Sequence, residues 1–453
     1  MFISCSDGGT GRKKSPTAQP LPGKSFQVRL ITLDPGHFHA ALVQKTMYDQ
    51  VAPDVHVYAP EGPDCLQHLE RIRLYNSRRD NPTSWNEIVF TGPDFLNRML
   101  ADKPGNVVIL SGNNMKKAEY IERSVDAGLN VLADKPMVIK PGDFPKLVSS
   151  FRAAGEKGLI LYDIMTERYE ITTIIQKLLM QNEDIFGKLE CGTRNDPSVV
   201  KSSVHYFSKM VSGVQLRRPD WFFDVTQQGE GIADVATHLV DLVQWECFPE
   251  QIIDTSDINV VYAKRWSSAL SKDEFRSVTG LNDFPDYLRG DVSDGKLNVC
   301  SNGEMVYNIR GIWAKVSVTW DYMPPDGGGD TYNSFLHGSG CDLVIKQGAG
   351  DKFQPELYIE NIRPGDRDNF GMRLKKALNS LPYDNLTAEP AGYDSFKIII
   401  PEKYRVSHEE HFGQVTARFL EFIKEGKIPG WEVSGMIAKY FTTTHAMIMA
   451  GRK

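Results

Sequence analysis

No apolar run in this 453-residue chain approaches the roughly 20 residues that cross a bilayer, so no membrane-spanning helix is expected in its body. Cysteine is scarce and scattered. The six residues Cys5, Cys65, Cys191, Cys247, Cys300 and Cys341 form no Cys-x-x-Cys pair, which argues against a zinc ribbon or a disulfide scaffold. A basic block is missing too. With 52 Lys and Arg against 58 Asp and Glu the net charge is -6, and nucleic acid is not an expected partner. An intact Gly-x-Gly-x-x-Gly is also lacking, although its place in the chain is marked.

What is present is enough apolar residue, 41%, for two cores in a chain too long for one. Residues 1–25 read as a flexible leader, because Thr10 to Lys24 is rich in Gly, Lys, Ser and Pro. Phe2-Ile3-Ser4-Cys5 followed by Ser6-Asp7-Gly8-Gly9 is similar to the end of a bacterial lipoprotein signal, with its apolar stretch cut short. Two locations stay open on that ground: a periplasmic protein tethered by lipid at Cys5, or a cytoplasmic one. The remainder divides into two units, residues 26–160 and 161–453, which the resemblance described below implies to be a nucleotide-binding domain and an α/β substrate and catalytic domain with closing helices.

In the first of these, Val28 to Leu33 forms an apolar strand and Asp34-Pro35-Gly36 a tight turn. Ala40, Ala41, Leu42, Val43 and Met47 then fit a helix starting at His37. Strand, glycine turn and helix follow the order of a dinucleotide-binding unit, with Leu33-Asp34-Pro35-Gly36-His37-Phe38 keeping one glycine for backbone approach to a pyrophosphate. The second strand, Val55 to Tyr58, ends in Ala59-Pro60-Glu61, which leaves Glu61 as the acidic candidate for the adenosine ribose. A polar insert spans Tyr75 to Trp85. The strand Asn106 to Leu110 opens into Ser111-Gly112-Asn113-Asn114, a helix runs from Met115 to Ala127, and the strand Asn130 to Ala133 leads into Asp134-Lys135-Pro136.

Further on, Gly229-Glu230-Gly231-Ile232-Ala233-Asp234-Val235-Ala236-Thr237-His238 holds two polar groups four residues apart, a spacing that predicts Asp234 and His238 on one face of a helix. Smaller features get plainer readings. His37-Phe38-His39 has a metal-like spacing, but Asp34 is the one carboxylate nearby in sequence, so no metal is assigned and cofactor contact is preferred. Cys65 and His68 read as a solvated pair, and Asp326 to Asp330 as a loop without the spaced ligands of a calcium site.

The order of these pieces resembles the glucose-fructose oxidoreductase, inositol dehydrogenase and rhizopine catabolism (Gfo/Idh/MocA) oxidoreductases. It rests on the Asn-ended strand, the helix, Ala127-Gly128-Leu129-Asn130-Val131, Asp134-Lys135-Pro136 in place of the family's Glu-Lys-Pro, and Asp-x-x-x-His about 100 residues later. The resemblance implies a Rossmann domain followed by a domain with a large open, mostly antiparallel sheet. It implies NAD or NADP held by Asp34, Pro35, Gly36, His37, Phe38, Ser111, Asn113, Asp134, Lys135 and Pro136. It implies catalysis by Lys135, Asp234 and His238, with Arg168 as a further substrate contact and Pro136 fixing the backbone. The expected activity is dehydrogenation of a secondary hydroxyl of a sugar, glycoside or cyclitol by a homo-oligomer built through the C-terminal sheet. Two alternatives remain: a glycosidase of the same fold that oxidises its substrate transiently, and a sugar-binding protein without turnover.

Overall fold

The computed structural model describes residues 27–211, 214–325, 328–367 and 369–451; Cys5 and the leader lie outside the described residues. The first layer is a six-stranded parallel sheet of β1 (Leu30–Leu33), β2 (Asp54–Ala59), β3 (Asn86–Thr91), β4 (Val107–Leu110), β5 (Asn130–Asp134) and β6 (Leu161–Ile164). The strand order is β3-β2-β1-β4-β5-β6. Every residue of β1, β4 and β6 is buried, as expected where helices cover both faces of a parallel sheet. Those helices are α1 (His39–Leu42), α2 (Pro63–Ser77), α3 (Phe95–Asp102), α4 (Lys117–Asp126) and α5 (Phe144–Glu156). The order reverses between β1 and β4, which is where such sheets hold ligands.

Two local readings change. The helix after the glycine turn is a single turn, His39–Leu42, and does not reach Met47. A six-residue strand, β3, follows the polar insert unannounced, because its sequence Asn-Glu-Ile-Val-Phe-Thr forms a largely exposed sheet edge.

After α6 (Ile171–Met180) the second layer begins with β7 (Val199–Tyr206) and the small hairpin β8 (Met210–Val211) and β9 (Val214–Gln215). It continues through α7 (Ala236–Cys247), β10 (Ile258–Leu270), α8 (Lys272–Thr279), β11 (Val292–Ser293), β12 (Lys296–Ile309), β13 (Ile312–Asp321), β14 (Thr331–His337), β15 (Asp342–Lys346) and β16 (Glu356–Glu360). Then come α9 (Phe370–Ser380), β17 (Thr387–Gly392), β18 (Ser395–Ile399), α10 (His408–Glu425) and α11 (Gly430–Gly451). The large sheet has the order β10-β12-β13-β7-β14-β15-β16-β18-β17 and is antiparallel except where β13 meets β7. Alternate residues of β12 and β13, among them Met305, Tyr307, Ala314, Val316 and Val318, point into one core beneath α6, α7 and α11.

The closing helices do not belong to the second core alone. Phe412, Val415, Phe419, Leu420 and Phe422 of α10, with Met436 and Tyr440 of α11, join the core of the parallel sheet, whereas Ala438 and Ala446 of α11 face the other core. The chain thus returns to its first layer, and α11 is shared.

Where the two layers meet, five charged side chains interlock. Arg168 donates from Nε and Nη2 to the two oxygens of Asp241 at 2.6 and 2.7 Å, and from Nη1 to Glu432 at 2.9 Å. Lys439, fully buried, lies 2.8 Å from Asp241 and 2.7 Å from Asp163 at the end of β6. Arg168 is thus paired with two carboxylates and ties the layers together. Removing one partner of such a buried set leaves an uncompensated charge, so Asp241→Asn is expected to lower the free energy of unfolding by about 3–5 kcal/mol in chemical denaturation. The exposed Arg289–Asp286 pair is the control: Asp286→Asn is expected to cost less than about 1 kcal/mol. Equal, small losses for both would contradict the account.

Candidate active site

The carboxyl ends of β1, β4 and β5 open on one crevice, and their turns pack backbone to backbone. A Cβ on Gly112 would lie 2.0 Å from the carbonyl oxygen of Asp34, so only glycine permits this approach. At the turn itself Asp34 takes a positive φ of 51°, Pro35 is buried, and the ring of Phe38 packs 4.6 Å from His37 and 4.3 Å from His39. Burial pushes the Asp34 carboxyl up to about 6, in spite of a hydrogen bond from Tyr120.

The space beside Gly36 is lined from both layers: a Cβ there would lie 3.0 Å from Asp64 and 3.0 Å from the indole of Trp221, whose Nε1 donates to Asp64 at 2.7 Å. Neither residue was singled out in the sequence. The carboxylate that reaches the crevice is Asp64, at the start of α2, whereas Glu61 is exposed. Cys65 and His68, read as solvated, are both buried beneath α2, because they sit on its inner face. Asn113 donates to the side chain of Gln227 at 2.6 Å, and Asn114 to the main-chain oxygen of Gln228 at 2.7 Å, so a segment of the second half is stapled to the β4 turn.

Asp134 ends β5 with its side chain turned into the protein. Its Oδ2 accepts from Ser111 Oγ at 3.0 Å and lies 2.9 Å from His39 Nδ1, while its Oδ1 is buried without a partner. The next residue projects across the gap: Lys135 Nζ is 2.5 Å from Asp234 Oδ1, and the Lys135–Pro136 bond is cis. The other oxygen of Asp234 accepts from Gln228 at 3.1 Å. Asp234 lies in the turn ahead of α7 rather than on the helix with His238, so the two side chains do not form the expected pair; the aspartate neutralises the lysine instead. His238, on the first turn of α7, keeps a buried Nδ1 with no partner. Burial, reinforced by the charge of Lys135, holds its pKa well below 6.5.

A second imidazole–carboxylate group faces the same region from the large sheet. Thr331 of β14 pairs with Val204 of β7, which sets Asp330 beside His205. His205 Nδ1 is 3.0 Å from Asp330 and its Nε2 is 2.6 Å from Ser203 Oγ, while Lys209 also pairs with Asp330. Against the effect of burial, His205 and Lys209 hold Asp330 far below the ordinary carboxylate range. His408, at the start of α10, feels Lys209, Asp330 and Lys135 together, and burial takes it down to about 3. No sequence signal joins these residues, because the pairing of β7 with β14 creates the group. The loop read as a calcium non-site thus contributes a residue after all.

A dinucleotide is a physical fit for this crevice at its reacting end. The switch point, the close approach of the Gly36 and Gly112 turns and the unsatisfied buried Oδ1 of Asp134 lie at the carboxyl ends of the central strands, and His238 on α7 adds an unpartnered buried Nδ1. Trp221 and Asp64 line the space beside Gly36.

Residues 175–451 match the family model described as “Putative oxidoreductase C terminal domain”. A solved structure from Parabacteroides merdae, described as an oxidoreductase in the same qualified terms, is 52% identical, with a TM-score of 0.92 over 94% of this chain and 97% of that one. More distant structures share the fold. KijD10, a 3-ketoreductase from Actinomadura kijaniata in complex with NADP and TDP-benzene, is 13% identical with a TM-score of 0.53 over 91% of this chain and 94% of its own. GenD2 from gentamicin A biosynthesis, in complex with NAD, is 16% identical with a TM-score of 0.55 over 96% and 98%. No curated protein matches the sequence. With a family model spanning most of the second half and a half-identical relative along nearly the whole length, the chain belongs to the oxidoreductases of Gfo/Idh/MocA fold.

Proposed function

We propose that this protein is an NAD(P)-dependent oxidoreductase that acts on a secondary hydroxyl, or the corresponding ketone, of a sugar, glycoside or cyclitol. The observation that carries the reading is the cation of Lys135 held on Asp234 beside an uncharged His238 at the mouth of the crevice. The complexes of KijD10 with NADP and of GenD2 with NAD support the cofactor class. The turn Asp34-Pro35-Gly36-His37-Phe38, Ser111, Asn113 and the run Asp134-Lys135-Pro136 are the residues that would hold the cofactor. A bound nicotinamide supplies the hydride acceptor or donor.

The chain's own part is proton and charge management. A carbinol hydroxyl is far too weak an acid to lose its proton unaided at neutral pH, so a base must take it as the hydride leaves. His238 is uncharged at neutrality and receives that proton on its ring. Lys135 stabilises negative charge developing on the same oxygen, and Asp234 fixes the ammonium in place. Asp234 acts here through Lys135 and not through the imidazole. The reading includes a homo-oligomer formed through the open face of the large sheet.

His238→Ala is expected to reduce kcat by roughly 10²–10⁴ with cofactor affinity nearly unchanged, and Lys135→Ala to damage turnover comparably. Because the His238 pKa lies below 6.5, the base is already unprotonated there, so kcat/KM for oxidation should stay level from pH 6.5 to about pH 8 and fall only on the acid side. Steady-state assays over a panel of glycosides and cyclitols measure both. Near-normal turnover by His238→Ala would remove it from the chemistry.

A further inference from the structure

His37-Phe38-His39 carries two imidazoles at a spacing suited to metal but lacks a carboxylate in the neighbouring sequence. The fold brings one from 95 residues downstream. One ligand atom from each of His37, His39 and Asp134 lies within 4.8 Å of the others, the one such group of histidines, cysteines and carboxylates among the described residues. Nδ1 of His39 is 2.9 Å, and Nδ1 of His37 3.6 Å, from the same oxygen of Asp134. Tetrahedral coordination with bonds of about 2.0–2.2 Å places donor atoms about 3.3–3.5 Å apart. The two spacings to Asp134 lie on either side of that requirement, and the imidazole ligand atoms lie within 4.8 Å of each other, so an ion would draw the two rings together.

The present hydrogen bonds leave capacity for it. Nδ1 of His37 accepts only a long hydrogen bond from the His39 amide, at 3.4 Å, and lies 3.6 Å from Asp134 Oδ2, beyond hydrogen-bond distance. Oδ1 of Asp134, in a residue only 3% exposed, has no partner at all. The weakly engaged Nδ1 of His37, the unpartnered Oδ1 of Asp134 and the Nδ1 of His39, which an ion would take over from its hydrogen bond to Asp134, form an arrangement that a cation would satisfy. Of the neighbouring cations, Lys135 is paired with Asp234, and Lys117 is occupied with the main-chain oxygen of Asp134. Among the three ligands His37 is the most accessible, with a side chain 15% exposed against 10% for His39 and 5% for Asp134.

We propose that His37, His39 and Asp134 bind one divalent transition-metal ion of the zinc or cobalt(II) class, with at least one coordination position left for water or a substrate oxygen. Two imidazoles and one carboxylate suit zinc, and three protein ligands are the set of an open rather than a closed structural site. The site shares His37 and Asp134 with the proposed cofactor cradle, and its test reads metal binding in the absence of nicotinamide.

The test is equilibrium dialysis of the metal-stripped, untagged full chain against zinc chloride and, separately, cobalt(II) chloride at micromolar concentration, followed by elemental analysis. The cobalt form is also read by its visible absorption. One ion per chain is expected, with the absorption of four- or five-coordinate cobalt, and His37→Gln should lose both. His37 makes no hydrogen bond outside its own turn apart from its amide to Ser111, so this variant should keep the parent's far-ultraviolet circular dichroism, which serves as the check on folding. His39→Gln and Asp134→Asn should behave likewise. No bound ion in the folded parent chain, or an ion retained with an unchanged cobalt spectrum in folded His37→Gln, would overturn the proposal. Turnover with nicotinamide has no bearing on either outcome.

Discussion

The geometry of the site hangs on Asp241. This carboxylate sits on α7 one turn after His238, and it is gripped by Arg168 from the segment after β6 and by Lys439 from α11. Lys439 in turn holds Asp163 at the end of β6. Three elements of different layers are therefore locked at one point, with opposite charges holding Asp241 well below the ordinary carboxylate range despite its burial. The height of α7 against the parallel sheet, and so the place of His238 relative to Lys135, follows from that lock. Hydrophobic cores on either side make the layers stable, but they are broad and tolerant of small slips. The ion network is directional, and it fixes which slip is allowed.

A second set of contacts works at the crevice itself. Asn113 and Asn114 hold Gln227 and Gln228, Gln228 holds Asp234, and Asp234 holds Lys135. The chain of bonds runs from the first layer to the second and back, so the lysine is positioned by residues of both. Trp221 and Asp64 close the other end against Gly36. Lys135 and Lys209 each pair with a carboxylate, whereas Lys117 and Arg218 donate to main-chain oxygens.

How much of this was legible in the sequence depends on range. The strands β1, β4 and β5 announced themselves by apolar runs ending in Gly36, Gly112 and Lys135, and the two short motifs fixed the family resemblance. The short α1 was not legible, because Ala40 to Met47 has helical spacing while tertiary packing stops the helix after one turn. The edge strand β3 was missed because its exposed face looks like loop sequence. Four-residue spacing suggested that Asp234 serves His238, yet the aspartate lies before the helix begins and meets Lys135 from 99 residues away. A cation such as Arg168 carries no mark in the sequence of whether its partner is substrate or protein. The groups around His205, His408 and His39 depend on strand register and on the return of α10, which no local pattern records.

The central claim is that the crevice between β1 and β4 holds a nicotinamide cofactor beside Lys135 and His238. Equilibrium titration of the purified full chain with NADH and with NADPH tests it most directly, read by excitation transfer from tryptophan, since Trp221 lies against the Gly36 turn. The account predicts saturable binding of at least one of the two below millimolar concentration, with transfer reduced in Trp221→Phe. Failure of both to bind at millimolar concentration would contradict it.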